Sequence, residues 1–186
     1  MLKKSILPIL FSLTLLFQGC NDNKKVVQEA NSMVSANEYI LTSLDNKQFT
    51  VKKGDNGFSI NELNGKIIIF DIFATWCPPC RAAASHLSSL QKKYKDDLVI
   101  IGITIEENIT NEKLEMFKKQ YNANYTIVNS AQNRVLVNQI ANQLELGNRF
   151  PIPIMALYKD GKYINHYVGA IQEEFIDSDI KKALGK

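Results

Sequence analysis

Apolar and polar positions alternate along this chain with two different periods, and the switches between them mark out the elements. Tyr39 to Ser43 and Gln48 to Lys52, separated by Leu44-Asp45-Asn46-Lys47, have the pattern of a small β-hairpin. Ile67 to Phe73 is a continuous apolar run interrupted only by Asp71, which predicts a central strand buried on both faces. Ala83, Leu87, Leu90 and Tyr94 then follow at i, i+4, i+7 and i+11, one stripe of a helix. Leu98 to Ile105 predicts a second buried strand. Asn111 to Tyr121 predicts a second helix, with Leu114, Phe117 and Tyr121 on one side, and Tyr125 to Val128 a short strand. A third helical stretch places Val135, Leu136, Ile140 and Leu144 on one face, with Gly147 as its stop. Ile154 to Tyr158 and Tyr163 to Val168, joined by Lys159-Asp160-Gly161-Lys162, predict a terminal hairpin, and a helix from about Glu173 to Leu184 closes the chain. Short apolar runs alternating with helical stretches make residues 38–186 one α/β domain.

The first 37 residues read differently. Lys3 and Lys4 precede an apolar stretch from Ile6 to Phe17, and Gln18-Gly19-Cys20 follows, the three-part layout of a secretory signal. That stretch falls short of the roughly 20 apolar residues a membrane-spanning helix needs. Gly19-Cys20 resembles the end of a bacterial lipoprotein signal, which implies cleavage after residue 19 and lipid on Cys20. An ordinary signal followed by a free thiol is the other reading of the same residues. Residues 20–37 are polar and aperiodic and are expected to serve as a flexible tether. An exported, lipid-anchored protein of the periplasm or cell envelope is the expectation.

Composition narrows the function. Twenty-two basic residues against nineteen acidic ones give +3, and without Lys3 and Lys4 the balance is +1, so no basic stripe offers a nucleic-acid footprint. Three cysteines, Cys20, Cys77 and Cys80, are too few for a disulfide-stapled scaffold or a four-cysteine zinc site. His86, nine residues past Cys77, is rotated by about 900° along a helix and points to the opposite face, and neither it nor His166 completes a ligand set. No metal and no cofactor are expected.

Cys77 and Cys80 carry the chemistry. They stand three apart at a strand-to-helix junction, where unpaired N–H groups and the positive end of the helix dipole favour a thiolate. Cys77 is therefore the expected nucleophile. Cys80, one turn in and more buried, is expected to attack the mixed disulfide and release the partner. Pro78 suits a first helical turn, which needs no N–H at that place. Half a zinc site and an inert bridge are the other readings of the pair. Asp71, six residues before Cys77 in an apolar strand, is expected to be buried, with a raised pKa that lets it exchange protons with Cys80 through a water; an ion pair with a lysine or a place at an exposed strand end is its alternative. Trp76 is expected to cover the pair, Arg81 to be a solvated charge, and Phe117, Tyr121 and Phe175 to be core residues.

Phe73-Ala74-Thr75-Trp76-Cys77-Pro78-Pro79-Cys80 resembles the active site of the thioredoxin superfamily, in particular its TlpA-like exported thiol-disulfide oxidoreductases. Ile152-Pro153, before a strand ending in Lys159-Asp160-Gly161, is similar to the family's cis-proline segment, with Pro151 as a rival position. Val168-Gly169-Ala170 resembles its glycine loop. Two positions depart from the pattern: Ile154 stands where thioredoxins usually carry Thr, and Pro78 where some cytochrome-maturation members carry an acidic residue. The resemblance implies a thioredoxin-like fold, a central mixed sheet flanked by helices, here with an N-terminal β-hairpin extension. It implies substrate contacts at Trp76, Pro78, Pro79, Ile152, Pro153 and Gly169, and a buried Asp at the offset of Asp71. Its implied partners are a membrane-embedded thiol reductase as electron donor and disulfide-containing exported proteins, apocytochrome c among them. A disulfide-donating oxidase shares this chemistry, and a redox-silent binding lipoprotein is the reading from another class. A peroxidase would need a further cysteine in the added helical segment, which has none.

Overall fold

The computed structural model describes residues 37–147 and 149–186. The signal over 1–19, Cys20 and the tether as far as residue 36 lie outside the described residues. Among the described residues no helix is long and apolar enough to cross a membrane.

The domain opens with three strands rather than a two-stranded hairpin: β1 (Glu38–Thr42), β2 (Gln48–Gly54) and β3 (Gly57–Ile60), antiparallel in that order. The third strand follows from the two-residue connection Asp55-Asn56, whose residue types suit a tight hairpin turn. It brings Phe58 edge-on to Phe70, at 6.3 Å between ring centroids, and to Tyr158, at 5.5 Å. These contacts seat the small sheet on the main one.

The main sheet contains β4 (Ile67–Phe73), β5 (Leu98–Thr104), β6 (Thr126–Val128), β7 (Ile154–Lys159) and β8 (Lys162–Val168) in the order β6-β5-β4-β7-β8. β4, β5 and β6 run parallel, whereas β7 is antiparallel to β4 and β8 to β7. Every residue of β4 is buried, Asp71 included, as an apolar run broken only by that residue demands. Among the described residues four helices cover the sheet: α1 (Pro78–Lys93), α2 (Asn111–Tyr121), α3 (Asn133–Gln143) and α4 (Glu173–Ala183).

Alternation along β4 divides the interior in two. Ile67, Ile69 and Phe73 pack on one side with Leu87 and Leu90 of α1, Leu114 and Phe117 of α2, and Ile176 and Ile180 of α4. Ile68, Phe70 and Ile72 pack on the other with the small sheet and α3. The cysteine pair belongs to the first side. There α4 is docked on α1 through Asp177, which accepts hydrogen bonds from Lys93 Nζ at 2.6 Å and the Tyr94 hydroxyl at 2.7 Å and pairs with Lys181 Nζ at 2.8 Å.

Two core assignments need correction. On α3 the buried stripe is Leu136, Val137, Ile140 and Ala141, while Val135 is 50% exposed; a period of 3.6 residues turns Val135 about 200° away from Val137. Leu144 is buried just past the helix, and Gly147, at φ 71°, lies in the loop beyond. On α4 Phe175 is 59% exposed rather than in the core, because Ile176 and Ile180 take the inward face.

Candidate functional site

The site lies at the carboxyl end of β4, where the chain turns into α1. Cys77 is the N-cap of α1, and its Sγ accepts a hydrogen bond from the Cys80 backbone N–H at 3.3 Å. Pro78 and Pro79 open the first turn, where a missing N–H costs no helical bond. Cys77 and Cys80 form a disulfide, with their Cα atoms 5.3 Å apart. The two are buried alike, at 2% and 3% exposure, so Cys80 is not the more buried partner: both side chains pack in the same core layer.

The loop before β7 faces this bridge. Its Ile152–Pro153 peptide bond is cis, whereas Pro151 follows a trans bond. The Ile152 carbonyl oxygen lies 3.7 Å from Cys77 Sγ. Gly169, at φ 84°, donates its N–H to the Pro153 carbonyl at 2.8 Å, which ties the loop after β8 to the proline. Cys77, Ile152, Pro153 and Gly169, from three separate parts of the chain, thus meet in one place.

Trp76 is 60% exposed, beside the exposed Pro78 and Pro79. Thr75 donates its N–H to Glu106 Oε2 at 2.6 Å and its hydroxyl to Glu106 Oε1 at 3.0 Å. Glu106, just past β5, therefore holds the loop that carries Trp76 and Cys77. Arg81 is half-buried rather than solvated: its Nε donates to the Thr75 carbonyl at 2.8 Å, and its guanidinium lies 5.2 Å from the centre of the Tyr121 ring. The same region has a groove of 270 Å³ lined in part by Thr75, Arg81, Met116, Phe117 and Tyr121.

Asp71 is buried on the cysteine side of the sheet, between Gly102 of β5 and Met155 of β7 in register. Among the described residues no lysine meets it. Its Oδ2 accepts a hydrogen bond from the Tyr125 hydroxyl at 2.8 Å, and its Oδ1, also buried, has no donor among those residues. Burial pushes the carboxyl up to about 7, with the Tyr125 hydrogen bond pulling the other way. The phenol is itself pushed well above its usual range, by burial and then by the neighbouring carboxylate.

Glu106 and Tyr125 did not stand out in the sequence. Glu106 follows a buried strand as an ordinary loop carboxylate, and Tyr125 reads as a strand aromatic. The isolated Gly102 within β5 is the one local sign that another group approaches closely there. His86 is exposed on the outer face of α1, and His166 Nδ1 lies 2.7 Å from the Tyr163 hydroxyl. Among the described residues no group of three or more His, Cys, Asp or Glu is arranged to hold a metal ion.

This chain matches the AhpC/TSA family over residues 45–149, more than half its length and including the disulfide, Asp71, Glu106 and Tyr125. It belongs to that family. Among its relatives is the thiol-disulfide oxidoreductase ResA of Bacillus cereus, 24% identical over 168 residues that cover 90% of this chain and 85% of that protein. The thioredoxin-like protein YneN of Bacillus subtilis is 30% identical over a shorter stretch of 71 residues, 38% of this chain and 42% of that protein. Among solved structures, a thioredoxin-family thiol:disulfide interchange protein from Chlorobium tepidum TLS superposes with a TM-score of 0.64 at 24% identity, covering 81% of this chain and 95% of that one. The fold of this AhpC/TSA member is thioredoxin-like, a mixed central sheet between helices, with a three-stranded sheet added at its start.

Proposed function

We propose that this protein is a thiol-disulfide oxidoreductase that reduces disulfides in exported proteins. The observation that carries the reading is the Cys77–Cys80 disulfide at the amino end of α1, with Cys77 Sγ beside the Ile152 carbonyl. In the dithiol form the Cys77 thiolate, favoured by the helix end and the Cys80 N–H, attacks one sulfur of a substrate disulfide. One substrate sulfur leaves as a thiolate, and a mixed disulfide joins Cys77 to the other. Cys80 then gives up its proton and attacks Cys77 Sγ; the bond to the substrate breaks, and the second substrate sulfur leaves with that electron pair. Two electrons have passed to the substrate, whose thiolates take up protons, and the Cys77–Cys80 bridge has formed.

In this reading the substrate chain lies across the exposed Trp76, Pro78 and Pro79 and pairs with the backbone of Ile152, beside Pro153 and Gly169. The bridge is reduced again by a membrane-embedded thiol reductase. Apocytochrome c is among the clients that the active-site resemblance implies. Cleavage after residue 19, lipid on Cys20 and a tether over residues 20–37 would hold the domain at the envelope membrane beside its electron donor. Mass spectrometry of the membrane-fraction protein tests this, since lipidation predicts a modified N-terminal Cys20 and release into the soluble fraction on Cys20→Ser.

The direction of electron flow is tested by equilibrating the purified protein with glutathione and with thioredoxin. A potential near or below about −250 mV supports the reductase, and one near about −120 mV makes the protein an oxidase. A pair that equilibrates with neither couple overturns both in favour of a redox-silent binding protein.

A further inference from the structure

Asp71, in the β4 row of Ile67, Ile69 and Phe73, has one oxygen held and one without a donor among the described residues, and this asymmetry has a structural cause. The β5 residue opposite it is Gly102, the one position of β5 without a side chain. A Cβ built there would meet Tyr125 Cε2 at 3.1 Å and Ile127 Cγ1 and Phe73 Cε1 at 3.2 Å. The missing side chain is the space through which the Tyr125 ring reaches across β5, so that its hydroxyl meets Asp71 Oδ2 at 2.8 Å. Among the described residues that is the only hydrogen bond the carboxyl makes, although Tyr125 lies 54 residues away in the chain.

We propose that Tyr125 is a positioning residue for the disulfide chemistry: by holding Asp71 Oδ2 it leaves Oδ1 as the open acceptor for the proton that Cys80 releases. This rests on the oxidoreductase reading and deepens it. In the resolving step Cys80 Sγ passes its proton to Asp71 Oδ1 through a bridging water, and the electron pair left on Cys80 forms the bond to Cys77. The bond between Cys77 and the substrate sulfur breaks, and its electron pair leaves with the substrate thiolate, which is protonated by solvent. Asp71 returns its proton to solvent before the next cycle.

The surroundings make the phenol decisive. The buried layer that Asp71 faces contains as titratable groups the Cys77–Cys80 pair of α1, Tyr94 past its end, and Tyr125, with Tyr121 of α2 and Tyr167 of β8 at its margin. The flanking Gly102 and Met155 carry none. Asp177 of α4, the other buried carboxylate among the described residues, is engaged with Lys93, Lys181 and Tyr94. No Lys, Arg or His among the described residues is buried, so no cation offsets the charge on Asp71. A donor to the carboxylate favours its ionised form, and in this layer the donor is Tyr125.

The test is Tyr125→Phe, which removes one oxygen and keeps the ring. Two quantities are followed with pH in the full-length protein: the carboxyl carbon resonance of Asp71 in the oxidised form, and the rate at which the Cys77–glutathione mixed disulfide resolves after reduced protein is mixed with glutathione disulfide. The Asp71 midpoint is expected to rise by about one pH unit, and the acid-side fall in the resolving rate to move up with it. Gly102→Ala, which displaces the ring, shifts both in the same direction. Tyr94→Phe loses a comparable buried hydroxyl, the one bonded to Asp177, and is expected to move neither. An unmoved Asp71 midpoint in Tyr125→Phe overturns the proposal, as does a midpoint that moves without the rate profile or an equal shift in Tyr94→Phe. A wild-type protein that exchanges with no disulfide overturns the oxidoreductase reading and the proposal together, whereas the other failures leave that reading standing.

Discussion

Cys77 Sγ lies 3.7 Å from the carbonyl oxygen of Ile152, a residue 75 positions later in the chain. The contact joins the first turn of α1 to the cis-proline loop before β7, so that the Cys77 sulfur and the backbone of Ile152 lie side by side. An extended chain paired with that backbone would bring its own sulfur towards Cys77.

The two cysteines are predicted to separate by role. Cys77→Ser should reduce exchange with a disulfide substrate to the uncatalysed rate. Cys80→Ser should retain the first attack and accumulate a mixed disulfide, visible as an added mass under non-reducing conditions that reductant removes. Accumulation in Cys77→Ser instead would reverse the assignment.

Asp71 should make the protein less stable as pH rises. Its folded pKa, about 7, stands above the unfolded value of 3.8, so the folded state binds the extra proton between those limits. The penalty is absent below pH 4, grows from pH 4 to 7 and is complete above, on the order of 4 kcal/mol. Asp71→Asn is therefore expected to raise the melting temperature of the oxidised protein at pH 8 and to change it little at pH 4. A gain of equal size at both pH values would show that ionisation of Asp71 is not the cause.

Asp177 should act with the opposite sign. Burial raises its pKa, but hydrogen bonds from Lys181, Lys93 and Tyr94 outweigh that and hold the carboxyl well below its usual range. Its contribution is thus present above about pH 4 and is lost as pH falls through the folded value. Both lysines are about half exposed, which weakens the ion pairs, and Asp177→Asn is expected to cost about 1 to 2 kcal/mol at pH 7. Urea titrations should show the gap between variant and wild type narrowing as the pH is taken below 4.

Gly57→Ala should loosen the small sheet while sparing the chemistry. A Cβ at this residue, whose φ is 150°, would stand 2.8 Å from Tyr158 Cδ1 and 3.0 Å from the Gly161 carbonyl oxygen. Overpacking of this kind costs about 1 to 3 kcal/mol. Because Tyr158 packs on the side of the sheet away from the cysteines, the disulfide-exchange rate of the folded variant should match that of wild type. An altered rate with unchanged stability would show the two sides of the sheet to be coupled.

Much of the site was legible because its signals are local. The Cys77–Cys80 spacing, the prolines after Cys77 and the apolar run of β4 are patterns of a few neighbouring residues, and α2 spans the residues its periodicity predicts. Asp71 stood out as a charge in a strand with no room for one. β3 was also within reach, since Gly54-Asp55-Asn56-Gly57 carries the residues of a tight turn, but its Phe58-Ser59-Ile60 is too short for alternation to separate it from a loop. Helical phase was harder: choosing between Val135 and Val137 on α3, or between Phe175 and Ile176 on α4, needs to know which side the sheet is on.

The order of elements apart from β3, the sheet core and the cysteine chemistry were thus determined by the sequence alone, because strand burial, helical period and the reactivity of a thiol at a helix start depend on residues close together in the chain. The tertiary structure decided what meets what: Tyr125 with Asp71 across 54 residues, Glu106 with Thr75 across 31, and Ile152 with Cys77 across 75. It also left Trp76 exposed and engaged Arg81 with Thr75 and Tyr121. Such pairings arise from the order of strands in the sheet and from space left by a residue such as Gly102, neither of which a local window of sequence records.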